Sequence, residues 1–137
     1  MTRKIILPEE EVSQFVFQLR SILTSSRFNV NTDLDILMKK KSESPLDPFT
    51  TFNTLLALGF DSSDVCYQLL SLGVDDYLET IIDDKDILLP PFQVFVKEIN
   101  RREVYIKIKI RDASMNKIFC VSFHFARFSA AGKKPYQ

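Results

Sequence analysis

His124 is the one histidine in the chain, and it closes a stretch in which polar and apolar residues alternate. In residues 103–111 every even position is aliphatic and every odd one polar or charged, so a strand here lines Tyr105, Lys107, Lys109 and Arg111 on one face. In residues 118–125 the odd positions Phe119, Val121, Phe123 and Phe125 make the stronger apolar side, which leaves Ser122 and His124 opposite. Core must meet core across a ladder. A hairpin centred between Ser114 and Met115 pairs Tyr105 with His124, Lys107 with Ser122 and Lys109 with Cys120, and a shift that moves each pair by two residues in either direction keeps the same faces. Gln93, Phe95 and Lys97 of a preceding strand are expected on the same face, with Arg127 beyond its end.

Imidazole titrates near neutrality, a phenol can donate or relay a proton, and ammonium and guanidinium groups hold phosphate charge. Those parts suit cleavage of RNA by its own 2′-OH, which needs a base, an acid for the leaving 5′-oxygen and cations around the phosphorane. In that scheme His124, Tyr105, Lys107 and Gln93 form the catalytic group, and Lys109, Arg127, Arg111 and Lys97 bind RNA phosphates. No metal or cofactor is called for. The plainer reading is a solvated antiparallel face, on which Lys and Tyr are common and the histidine is a hydrogen-bonded surface residue.

The elements that must carry these groups fit within one domain of 137 residues, 45% hydrophobic with twelve Phe. Such a composition excludes a disordered chain. No apolar run is long enough to span a bilayer and no secretory leader opens the sequence, so a cytoplasmic protein without membrane contact is expected. Cys66 and Cys120 are too few for a disulfide framework and lack metal-ligand spacing. The zero net charge hides a split: basic and acidic residues number seven and five in 1–42, one and ten in 43–92, and ten and three in 93–137. The last segment is a candidate basic surface, unless the two extremes neutralise each other in the fold.

Pro8, three glutamates and apolar residues at i, i+3, i+4 spacing predict a helix over 8–24. Residues 27–31 suit a short strand, 32–41 either a strand or a helical turn, and 41–48 a loop. Helices are expected from Thr50 or Thr51 to Gly59 with Phe52, Leu55 and Leu56 inward, and from the Asp61 cap to Gly73. A third short helix should carry Tyr77, Leu78, Ile81 and Ile82. From Phe92 the period drops to two, giving strands over 92–97, 103–111 and 118–125. The fold class is α+β: N-terminal helices packed on a C-terminal antiparallel meander, with 1–42, 49–82 and 92–126 as its three parts.

The blocks Leu55-Leu56-Ala57-Leu58-Gly59-Phe60, Leu72-Gly73-Val74-Asp75-Asp76-Tyr77, Phe92-Gln93, the strand Glu103-Val104-Tyr105-Ile106-Lys107-Ile108-Lys109-Ile110 and Cys120-Val121-Ser122-Phe123-His124 occur in order. Together they resemble the MqsR-like (motility quorum-sensing regulator) toxins of bacterial type II toxin–antitoxin systems. The resemblance implies a RelE-like fold, metal-independent endoribonuclease action on mRNA, neutralisation by a cognate antitoxin, and no DNA contact by the toxin itself. It matches Tyr105 to a catalytic tyrosine, Gln93 to an active-site glutamine, Lys107 to the shared strand motif and His124 to a catalytic position held by lysine or histidine. Glu79 stands against a lysine, Phe92 against a tryptophan, the tail from Phe128 departs from the family pattern, and residues 31–50 look enlarged.

Other readings carry less of the chain. Leu58-Gly59-Phe60 resembles the loop of ubiquitin-associated domains but leaves the strands unexplained. The run Asp83-Asp84-Lys85-Asp86 lacks the turn glycine of a calcium loop. A catalytically weak RNA-binding relative, or an interaction module using the acidic segment 43–92, are the alternatives to an enzyme.

Overall fold

The computed structural model describes residues 2–84 and 88–137; Lys85 and Asp86 of the acidic run lie outside them. Helix α1 spans Glu9–Leu23, with Pro8 at its N-cap and three glutamates in its first turn, where the helix dipole favours them. Its stripe of Val12, Val16, Leu19, Ile22 and Leu23 is buried. Helix α4, Ser62–Leu70, opens on a reciprocal cap in which Asp61 and Asp64 each accept a backbone N–H of the other. Val65 and Leu69 lie wholly inside. These two helices cover one face of a six-stranded sheet.

Strands β1 (Thr2–Ile5), β2 (Leu34–Ile36), β3 (Tyr77–Asp83), β4 (Phe92–Ile99), β5 (Arg102–Asp112) and β6 (Lys117–Phe125) lie in the order β1-β3-β4-β5-β6-β2, antiparallel except for β2 beside β6. β4 turns into β5 through Asn100 and Arg101, both at positive φ, a two-residue turn whose twist matches the strands it joins. β2 covers only the first part of β6. Beyond it helix α3, Thr51–Leu58, takes over the edge: Thr51 and Thr54, both buried, accept the N–H groups of Phe123 and Phe125. The last strand thus presents no row of free donors there. Among the described residues no helix is long and apolar enough to cross a membrane.

The α+β class and the three C-terminal strands follow the sequence expectations; several local ones are corrected. Residues 27–31 form a turn that leads into helix α2 (Val30–Asp33), not a strand, because the Asn29 side chain caps the backbone at Asn31. The expected third helix is strand β3, since Tyr77–Asp83 pairs with β1 on one side and β4 on the other. Phe52 and Leu56 face outward (54% and 70% exposed), because α3 turns Thr51, Thr54 and Leu55 to the sheet edge instead.

Candidate active site

The sheet face away from α1 and α4 carries the predicted chemistry. Tyr105 stands directly opposite His124 and Lys107 opposite Ser122. The two rings of the first pair stack, 5.2 Å apart and 15° from parallel. His124 Nδ1 lies 2.9 Å from the Phe125 carbonyl. A carbonyl only accepts, so Nδ1 carries the hydrogen, and among the described residues Nε2 is left to take a proton from a ligand. Burial pushes the imidazole below its usual 6.5 against that carbonyl's pull; the Lys40 and Arg127 cations lower it further and Glu43 opposes them. The ring is therefore mostly neutral at pH 7, as a general base requires.

Tyr105 behaves in the opposite sense. Burial first, then the Glu79 carboxylate, pushes its phenol up to about 12, so it keeps its proton and serves as a donor. Burial also pulls the Lys107 ammonium below its ordinary value, helped by the Lys40 and Lys4 cations and opposed by Glu79. A lysine so placed gives up its proton more readily than one in water.

A cavity of about 510 Å³ opens over the Tyr105–His124 pair. Lys4, Glu79 and Val96 line its floor, and Arg127 to Ala130 with Lys133 form a wall from the C-terminal tail. Lys134 holds this tail through the Val96 carbonyl (3.1 Å), and the Tyr136 hydroxyl donates to the Leu7 carbonyl at the far edge. Arg127 reaches the cavity while paired with Asp47 and resting over Phe49. Three charged groups here escaped the sequence reading. Lys4 comes from β1, a strand too short to announce itself, and pairs with Glu79 at 3.4 Å. Lys40 arrives from the loop after β2, its ammonium 2.8 Å from the buried Ser122 hydroxyl. Lys133 belongs to the tail.

Three of the expected positions are corrected. Gln93 pairs with Ile108 and Lys97 with Val104, which sets both on the helix-covered face, away from Tyr105. Gln93 is buried there and accepts from Thr80 at 2.5 Å, and Lys97 donates to Ser71. The physical reason is that β4 is apolar on both faces: Phe95 belongs to the helix-side core while Val94 and Val96 are buried on the other side, so alternation does not tell its faces apart. Lys109 pairs with Phe119 rather than Cys120, because a bulge between Ser122 and Cys120 shifts the register by one. It turns Cys120 and Ile118 into the core and Phe119 onto the open face, the reverse of what was expected for that end of β6. Lys109 and Arg111 stay on the open face, Arg111 paired with Asp35 at 3.0 Å.

Among the described residues no three His, Cys, Asp or Glu side chains gather where they could hold a metal ion. Comparison with protein-family models, with curated proteins and with solved structures returns no match.

Proposed function

We propose that the chain is a metal-independent endoribonuclease, the toxin of a type II toxin–antitoxin pair with a RelE-like fold, held in check by a cognate antitoxin and acting on mRNA. The observation that carries this reading is the stacked Tyr105–His124 pair beneath a cavity, with Nε2 of one ring unpaired among the described residues and cations on the neighbouring rows. His124 Nε2 takes the 2′-hydroxyl proton, the 2′-oxygen attacks phosphorus, and the bond to the 5′-oxygen breaks. Lys107 protonates the departing oxygen, while Tyr105 and Lys40 donate to the phosphorane oxygens. The products are a 2′,3′-cyclic phosphate and a 5′-hydroxyl. The family resemblance of the β5 and β6 motifs supports the same chemistry.

The discriminating experiment combines induced expression with cleavage of purified RNA by the wild type and by Tyr105→Phe and His124→Ala. Growth arrest with RNA cleavage, lost in the variants, supports the enzyme. RNA binding without cleavage moves the reading to an RNA-binding regulator.

A further inference from the structure

Past the Tyr105 and Lys107 rows the open face carries a second group of side chains. The bulge in β6 brings Phe119 beside Phe92, their centroids 5.9 Å apart and inclined at 57°. Lys107 and Lys109 reach over the Phe92 ring at 4.9 and 4.6 Å, and the Arg111 guanidinium sits 3.9 Å over Phe119. Asp35 holds that guanidinium from the neighbouring strand. Both rings are only half-buried. Aromatic side chains set among cations on an open sheet face are how proteins hold single-stranded nucleic acid: rings and guanidinium planes take bases by stacking, and the cations follow the backbone.

We propose that this face is a track for single-stranded RNA, on which a nucleotide adjoining the scissile one lays its base against Phe119, Phe92 and Arg111 while Lys107 and Lys109 take the phosphates between. The proposal rests on the RNA reading above and adds a subsite to it. Lys107, Lys109 and Arg111 alternate along one strand, so their anchor points are about 7 Å apart, close to the separation of successive phosphates in an extended chain. The charge of this face matches a polyanion, whereas a base is the flat partner that the two rings and the guanidinium share. The bulge is what builds the subsite, since without it Phe119 would point into the core.

The test measures binding of uncleavable 2′-O-methyl oligonucleotides by fluorescence anisotropy, so its result does not depend on catalysis. Phe119→Leu and Phe92→Leu are expected to weaken binding of a hexamer about tenfold each with little change in salt dependence. Phe119→Trp should restore it, and circular dichroism confirms that each variant folds. An abasic residue at one position of the hexamer should cost wild type the same factor and cost Phe119→Leu nothing further. Lys109→Gln should reduce the slope of log K against log salt by about 0.7. Leucine variants that bind as tightly as wild type overturn the track, as does an acidic peptide that competes as well as RNA, which would mark a protein-docking face. Tight, Phe119-dependent binding with no cleavage of ordinary RNA keeps the track and rejects the nuclease. Cleavage with no dependence on Phe119 or Phe92 does the reverse.

Discussion

Tyr105 and His124 face each other across the β5–β6 ladder with their rings 5.2 Å apart, and the same burial drives their acidities in opposite directions. The phenol is held protonated and the imidazole neutral. In the proposed nuclease that division of protons assigns His124 as the base. His124→Ala should reduce RNA cleavage by about 10²–10⁴-fold and leave RNA binding nearly intact. Cleavage at the wild-type rate across pH 5–8 would mean that the histidine is structural.

The pH profile of cleavage should be a bell. Its acid limb falls below the usual histidine value, because burial lowers His124. Its alkaline limb belongs to Lys107, whose lowered value lies well under that of Tyr105 at about 12. Lys107→Arg keeps the charge but holds its proton far more tightly. The variant should bind RNA and cleave it slowly, with the alkaline limb moved to higher pH. An alkaline limb unchanged in Lys107→Arg would assign the acid to another group.

Glu79→Gln removes the anion that helps to raise the Tyr105 phenol. The tyrosine should then titrate lower, read as phenolate absorbance against Tyr105→Phe. RNA binding should tighten as well, because one repulsive charge leaves the cavity. A Tyr105 value that stays where it is in the variant would leave burial as the sole cause.

Stability should fall on mild acidification. The folded chain holds His124 below its unfolded value, so between the two values the unfolded chain binds more protons and gains from a drop in pH. The contribution is complete above the unfolded value and is lost as pH falls towards the folded one. Thermal melts at about pH 7.5 and 5.5 should separate wild type from His124→Gln, with the variant losing less. Equal losses would show that other groups govern the slope.

Thr51→Val and Thr54→Val each remove the acceptor of a buried β6 N–H while keeping shape. Each should cost about 1–3 kcal/mol in urea unfolding, the penalty for an unpaired buried donor. A loss under about 0.5 kcal/mol would show that water or another acceptor replaces the hydroxyl.

Alternation along β5 and β6 was enough to set Tyr105, Lys107, Lys109 and Arg111 on one face with Ser122 and His124, since a strand with one apolar side has one way to face its core. Helices α1 and α4 were equally plain, because their starts and apolar stripes lie within a few residues of one another; for α3 the ends were legible but not the buried face. Strand β3 is ambiguous in the sequence because Tyr77, Leu78, Ile81 and Ile82 fit a helical stripe too. The run Thr80, Ile81 and Ile82 is β-branched, a signal for strand that was there to use.

Everything that depended on contacts distant in sequence waited for the tertiary structure. β4 is apolar on both sides, so only its pairing with β5 could send Gln93 and Lys97 to the helix face. The bulge that exchanges Cys120 for Phe119 is a property of two strands together, invisible in either one. Lys4 and Lys40 come within reach of Lys107 from more than sixty residues away. Local sequence thus determined that the polar side of β5 shares a face with Ser122 and His124, because alternation is a property of one strand. Folding decided which charges surround Tyr105 and His124, and through burial which of them holds a proton.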